Sequence, residues 1–324
     1  MRRSLLAAAA GTAVALLLSA CGTSEPAKDD AAAKSEKITL TDANGAKVSL
    51  DRPATKVVGT EWNVVESLVT LGVDPVGVAD VKGYTAWDTA APLTNSPKDI
   101  GTRGEPSMDT IAGLAPDLIV TTTDLSASAV KQMKKIAPVL QVKSADGADQ
   151  VGQMNDTLDV IAKATGTESK AKAAEASYEA KLAAGRKALK DAGADGAKLA
   201  FADGYAASNQ VSVRAYTGDS LVGAVNEDLG LKNAWKIKGD KDYGLATTDV
   251  EGLTGLGDDV QFAYIGNKAE DDVFTKDLAG NSVWKSLSFV KSGDVHRLDD
   301  GIWMFGGPKS MEKYIDAIVG ALTK

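Results

Sequence analysis

A stretch in the first half of this 324-residue chain recurs in the second half without a gap. With Asp109 set on Glu251, Ile111 falls on Leu253, Leu114 on Leu256, Asp117 on Asp259 and Leu118 on Val260. Similar strand–helix–glycine units precede it in both halves. In the first, an apolar strand at 56–59 leads into a helix at 63–71 that stops at Gly72, and a strand follows at 75–79. In the second, a strand at 198–201 is followed by a helix at 220–229 that stops at Gly230. Glycine just past a helix supplies the left-handed cap. Strands alternating with helices imply parallel sheets. The pattern predicts an α/β fold of two similar βα lobes.

The first lobe continues with a helix N-capped by Ser107, a buried strand at 118–120, a helix at 127–136, a strand at 139–142 and a helix at 150–164. In the second lobe, Thr248-x-x-Glu251 reads as a capping box opening a helix, followed by a strand at 260–265. Between the lobes, 167–191 is rich in Ala, Lys, Glu, Leu and Arg, all strong helix formers, with Thr167 as N-cap and Gly193 after it. Such a helix is a rod of ~36 Å, a stiffer joint than strand hinges. A hairpin is expected around Asp42-Ala43-Asn44-Gly45.

The N-terminus sets the compartment. Arg2 and Arg3 precede an apolar run from Leu5, which closes at Leu18-Ser19-Ala20-Cys21. The run falls short of the roughly 20 apolar residues of a membrane span and reads as a secretory signal. Leu-Ser-Ala-Cys resembles the bacterial lipoprotein signal, which implies lipidation of Cys21, the one cysteine of the chain. Residues 22–37 lack the apolar groups to bury a core and read as a flexible tether. The resulting plan is signal 1–20, tether 21–37, first lobe 38–166, connecting helix 167–192 and second lobe 193–324, at the outer face of the cytoplasmic membrane. The formal charge of −8 becomes about −10 without Arg2 and Arg3, which argues against a nucleic-acid partner.

A cleft between lobes is a preferred ligand site, lined from strand C-terminal ends. The residues expected there are Trp62 after the first strand of the first lobe, Tyr84 and Trp87 in a polar loop at 80–98, Arg103, Arg214 and Tyr216, Tyr243, and Trp303 with Met304 before Phe305-Gly306-Gly307-Pro308. Trp235 and Trp284 read as packing residues. The planar forks of two arginines suit carboxylate or hydroxamate oxygens. One histidine, His296, gives little material for a directly bound metal, so no metal site and no cofactor are expected. Any metal is expected inside an organic chelator. No Gly-x-Ser-x-Gly, phosphate-binding loop or His-Glu-x-x-His is present, so the chain is not read as an enzyme. A hydrolase built on cleft carboxylates stays open as the alternative from another class.

These segments together resemble the ferric-siderophore and cobalamin substrate-binding family of bacterial ABC importers. The likeness runs from about Lys56 to the C-terminus through 60–63, 71–80, 101–107, 111–120, 220–223, 229–231 and 303–308, the Leu-x-Pro-Asp-Leu-Ile core being the most typical. It implies two lobes on one long helix, a cleft that binds an intact iron(III)-siderophore of citrate or hydroxamate type, and a monomer that serves an ABC transporter permease dimer. It also implies one acidic docking residue per lobe, here Asp109 and Glu251. Asp109 is shorter than the family's usual Glu, and Asp258 stands where a Pro is usual. Cobalamin or haem is the alternative cargo within the family.

Overall fold

The computed structural model describes residues 37–207, 210–268 and 270–324. The expected leader, the expected tether up to residue 36 and Cys21, the expected lipidation site, lie outside the described residues. Strands β1 (Ile38–Thr41) and β2 (Lys47–Leu50) form the expected hairpin. Asp42 Oδ1 accepts from the Asn44 and Ala46 amides at 2.9 and 2.8 Å, and Gly45 takes φ +78° to close the turn.

The first sheet comprises β3 (Val57–Gly59), β4 (Gly77–Val78), β5 (Lys98–Asp99), β6 (Leu118–Thr122) and β7 (Val139–Val142). It is wholly parallel, in the order β5-β4-β3-β6-β7. Its helices are α1 (Trp62–Thr70), α2 (Val81–Trp87), α3 (Met108–Leu114), α4 (Ala127–Met133) and α5 (Gln150–Thr165). The long helix α6 (Glu168–Asp191) follows.

The second sheet is built from β8 (Lys198–Ala207), β9 (Gln210–Tyr216), β10 (Lys232–Asn233), β11 (Leu245–Thr248), β12 (Val260–Tyr264) and β13 (Val295–Arg297), with helices α7 (Leu221–Asp228), α8 (Ser282–Ser286), α9 (Ser288–Ser292) and α10 (Pro308–Leu322). The repeat is visible in the registers. Val57 of β3 pairs with Leu118 of β6, and Lys198 of β8 pairs with Val260 of β12, both parallel. Ala115 and Gly257, equivalent by the same offset, both hold positive φ, at 45° and 84°.

The second lobe departs from its twin along one edge. Strand β8 runs on to Ala207 instead of ending at 201. Its start pairs parallel with β10, and its extension pairs antiparallel with β9. The predicted capping box does not form either. Thr248 ends β11, and the segment after Glu251 is a 3-10 turn, Gly252–Leu256, whose first amide is taken by Asp249 Oδ1 at 2.9 Å. Gly252 and Gly255 each cost an α-helix about 1 kcal/mol, which favours the short turn.

Helix α6 is shared by two cores rather than standing as an isolated rod. Ala171 and Ala174 pack with Leu68, Leu118 and Leu158 in the first lobe. Tyr178, Leu182 and Leu189 pack with Phe201, Tyr314 and Ile315 in the second. At Gly185 a β-carbon would stand 2.8 Å from Leu229 and 2.9 Å from Ile315, so this position lets α7 and α10 close onto the helix. Thr167 precedes α6 but makes no side-chain cap; its hydroxyl bonds Thr165 Oγ1 at 2.8 Å.

Candidate functional site

A cavity of about 470 Å³ opens where the C-terminal ends of both sheets face each other, inside the usual range for small-molecule sites. Its centre is aromatic. Trp303 meets Trp62 edge-on at 4.7 Å between ring centroids, Phe305 at 5.1 Å and Trp87 at 6.3 Å. Phe305 in turn meets Tyr243 at 5.6 Å. Trp62 follows β3 and is fixed by its indole N–H, which donates to Ala79 O at 3.2 Å.

Each lobe adds one arginine. The Arg103 guanidinium lies 4.1 Å from the Trp62 ring centre and 5.4 Å from Trp303, a cation–π arrangement. Its Nη1 donates to Glu61 Oε2 at 3.3 Å. Arg214 donates through Nε to Asp203 Oδ1 at 2.9 Å and through Nη2 to Asp203 Oδ2. Burial pushes the Glu61 carboxyl above its ordinary pKa, and the positive charge of Arg103 opposes that rise. Burial works against the charge of Arg214, but Tyr216 and Asp203 hold its pKa above the ordinary value.

Six of the eight expected ligand residues therefore meet at one cavity: Trp62, Trp87, Arg103, Arg214, Tyr243 and Trp303. Two do not line it. Tyr84 is fully buried, because 81–87 is a helix rather than a loop. Asp80 caps that helix by accepting from the Gly83 amide at 3.0 Å, and the Tyr84 hydroxyl donates to Ala91 O at 2.5 Å. Tyr216 is buried behind the wall, where its hydroxyl donates to Asp203 Oδ2 at 3.1 Å. Trp284 lies in the second-lobe core, and Trp235 packs against it with its indole N–H donating to Phe201 O at 2.9 Å. His296 sits on β13 with Nε2 at 2.6 Å from Gln261 Oε1, away from the cavity. Asp109 and Glu251 are exposed, at the start of α3 and just before the 3-10 turn.

Sequence reasoning missed Glu61, Asp203, Tyr264, Phe274 and Phe305 as lining residues. Asp203 had a signal. It stands directly opposite Arg214 in the β8–β9 register, and acid–base pairs across neighbouring strands are common sheet contacts. That signal needed the full length of β8, which the strand expected at 198–201 cut short.

The reading also missed a buried pair beneath the cavity. Glu66 of α1 accepts from the amide of Ser310, in the first turn of α10, at 2.8 Å. A first-lobe carboxylate thus caps a second-lobe helix whose own N-cap, Gly307, offers no side chain. A β-carbon at Gly306 would stand 2.2 Å from Glu66 Oε2, which accounts for glycine there. Asp88 is buried close to Glu66, and it accepts from the Ala91 amide at 3.2 Å. Burial and the nearby Glu66 charge hold the Asp88 carboxyl above its ordinary pKa, so that it keeps its proton. Further bonds tie the lobes together nearby. Gln150 Nε2 donates to Asp219 O and Asp242 O, both at 2.9 Å, and Tyr243 donates to Asp124.

Two lobes on one helix, with an aromatic cavity at facing strand ends, define a solute-binding protein. The chain belongs to the periplasmic binding protein family, whose model matches residues 57–301, and it is a binding protein, not an enzyme. It is similar to the probable siderophore-binding lipoprotein YfiY of Bacillus subtilis (strain 168), at 27% identity over 94% of this chain and 93% of that one. It is also similar to the Fe(3+)-citrate-binding protein YfmC of the same organism, at 28% identity over 92% and 90%. Among solved structures it resembles the siderophore-binding protein FhuD of Vibrio cholerae with Fe3+-Desferal bound. That match has TM-score 0.72 and 26% identity, and covers 83% of this chain and 98% of that one.

Proposed function

We propose that this protein captures an intact iron(III)-siderophore in the interlobe cavity and delivers it to the permease dimer of an ABC importer. The cavity belongs to a first lobe at 38–166 and a second at 193–324, joined by the helix at 167–192. The observation that carries the reading is the cavity itself: a cage of Trp62, Trp87, Trp303 and Phe305 with one arginine from each lobe. Such walls suit a bulky organic chelate with polar oxygens at its surface. The names of the similar proteins support the same cargo. Cys21 is the lipid anchor on this reading, holding a monomer at the outer face of the cytoplasmic membrane. Asp109 and Glu251 are the docking points, one on each lobe.

Trp62, Trp87 and Trp303 make the cavity its own reporter. Titration with ferrioxamine B and ferric dicitrate is expected to quench tryptophan fluorescence saturably with at least one of them, whereas inorganic ferric ion alone leaves it unchanged. Absence of quenching by any ferric chelate would sink the proposal. Asp109→Lys and Glu251→Lys are expected to leave that titration unchanged and to abolish iron uptake in cells carrying the cognate permease. Unimpaired uptake in the double variant would remove the docking role.

A further inference from the structure

Both guanidinium groups at the cavity arrive with a carboxylate already attached. The edge of Arg214 formed by Nε and Nη2, which would clasp a carboxylate side-on, is engaged by Asp203. Asp203 is buried and is held from behind by the Tyr216 hydroxyl. Arg103 is covered on one side by Trp62 and bonded to Glu61.

The remaining charge on the walls has the opposite sign. Glu270, Asp271 and Asp272 line the second-lobe side, so the cavity-lining residues comprise five carboxylates and two guanidinium groups. Two of these are themselves paired: Asp271 with Lys276, and Asp272 with Arg297 at 3.2 Å, Asp272 also accepting from Tyr264 OH at 3.0 Å. On the first-lobe wall, Thr122 contributes to the lining, its Oγ1 being buried without a hydrogen-bond partner among the described residues.

We propose that Glu61 and Asp203 set the charge class of the cargo. By neutralising Arg103 and Arg214 they make the cavity select ferric chelates of zero or positive net charge, of which trihydroxamates are the chemical class, over polyanionic carboxylate or catecholate chelates. This rests on the cavity being a ferric-chelate site. Glu61 and Asp203 act through the arginines as positioning residues. The arginines remain hydrogen-bond donors to hydroxamate oxygens, but Arg103, Arg214, Lys276 and Arg297 already hold carboxylates, so a polyanion gains no unpaired cation, an arrangement that works against wrong partners.

The test is a matrix of dissociation constants, read by tryptophan quenching. The chelates are ferrichrome (neutral), ferrioxamine B (cationic) and ferric dicitrate (anionic); the proteins are the wild type, Asp203→Asn and Glu61→Gln. In the wild type both trihydroxamates are expected to bind roughly 100-fold more tightly than ferric dicitrate. Each substitution is expected to narrow that ratio by about tenfold, mainly by strengthening the anionic chelate. A merely structural role would weaken all three chelates alike and leave the ratio unchanged, which overturns the proposal. Ferric dicitrate binding the wild type as tightly as the trihydroxamates also overturns it, while leaving the ferric-chelate reading intact. Failure of every chelate to bind removes both.

Discussion

Glu66→Ala is expected to lower the free energy of unfolding by about 3 kcal/mol, because it strips the Ser310 amide of a buried charged acceptor and empties the space that the side chain fills between the lobes. For a chain of this size the melting temperature should fall by roughly 5–10 °C. Glu66→Gln keeps an acceptor oxygen for α10 and adds a donor for Asp88, so its cost should stay below about 1 kcal/mol. Thermal denaturation of both variants checks this, and equal losses would show that a neutral acceptor of the same size does not serve α10. The pair also fixes a pH dependence. Burial and the Glu66 charge push Asp88 up to about 9 from 3.8, so the folded protein keeps a proton that the unfolded chain has released. The contribution is complete below the unfolded value and is lost as pH rises towards the folded one. Asp88→Asn should flatten the decline in stability between those limits, and an unchanged slope in that variant would refute the proton retained on Asp88.

Trp303→Ala is expected to weaken binding of a ferric trihydroxamate about 100-fold, the loss typical of a central aromatic anchor at a binding site. The indole touches Trp62 and Trp87 of the first lobe and Phe305 of the second, and Arg103 lies over it. Its removal opens the cage from both sides. Trp303→Phe keeps an aromatic edge and should recover most of the affinity. Calorimetric titration of both variants decides the matter, and wild-type affinity in the alanine variant would move the binding site elsewhere.

Much of the architecture could be read from periodicity. The strands around Val58, Ile119 and Phe262, the glycine stops at Gly72 and Gly230, and the rod at 168–191 all carry local signals. What escaped was set by partners distant in sequence. The helix at 81–87 depends on Asp80 adopting a left-handed backbone and capping Gly83, which a run of polar residues does not announce. The extension of β8 depends on pairing with β9. At the site, loop tryptophans and arginines pointed to the cavity, but the carboxylates that modify the arginines did not stand out from 44 acidic residues. Tyr84 and Tyr216 were misplaced for a related reason: a tyrosine near a strand end packs beneath a site as readily as it lines one, since its ring is apolar and one hydrogen bond satisfies its hydroxyl.

The bond from Ser310 to Glu66 joins residues 244 positions apart. A chain is synthesised from its N-terminus, so every strand of the first sheet exists long before α10 does. Until those last residues emerge, Glu66 has no helix end to hold. A chain cut short before Pro308 would carry both sheets yet leave this first-lobe carboxylate without the second-lobe amide that it accepts from.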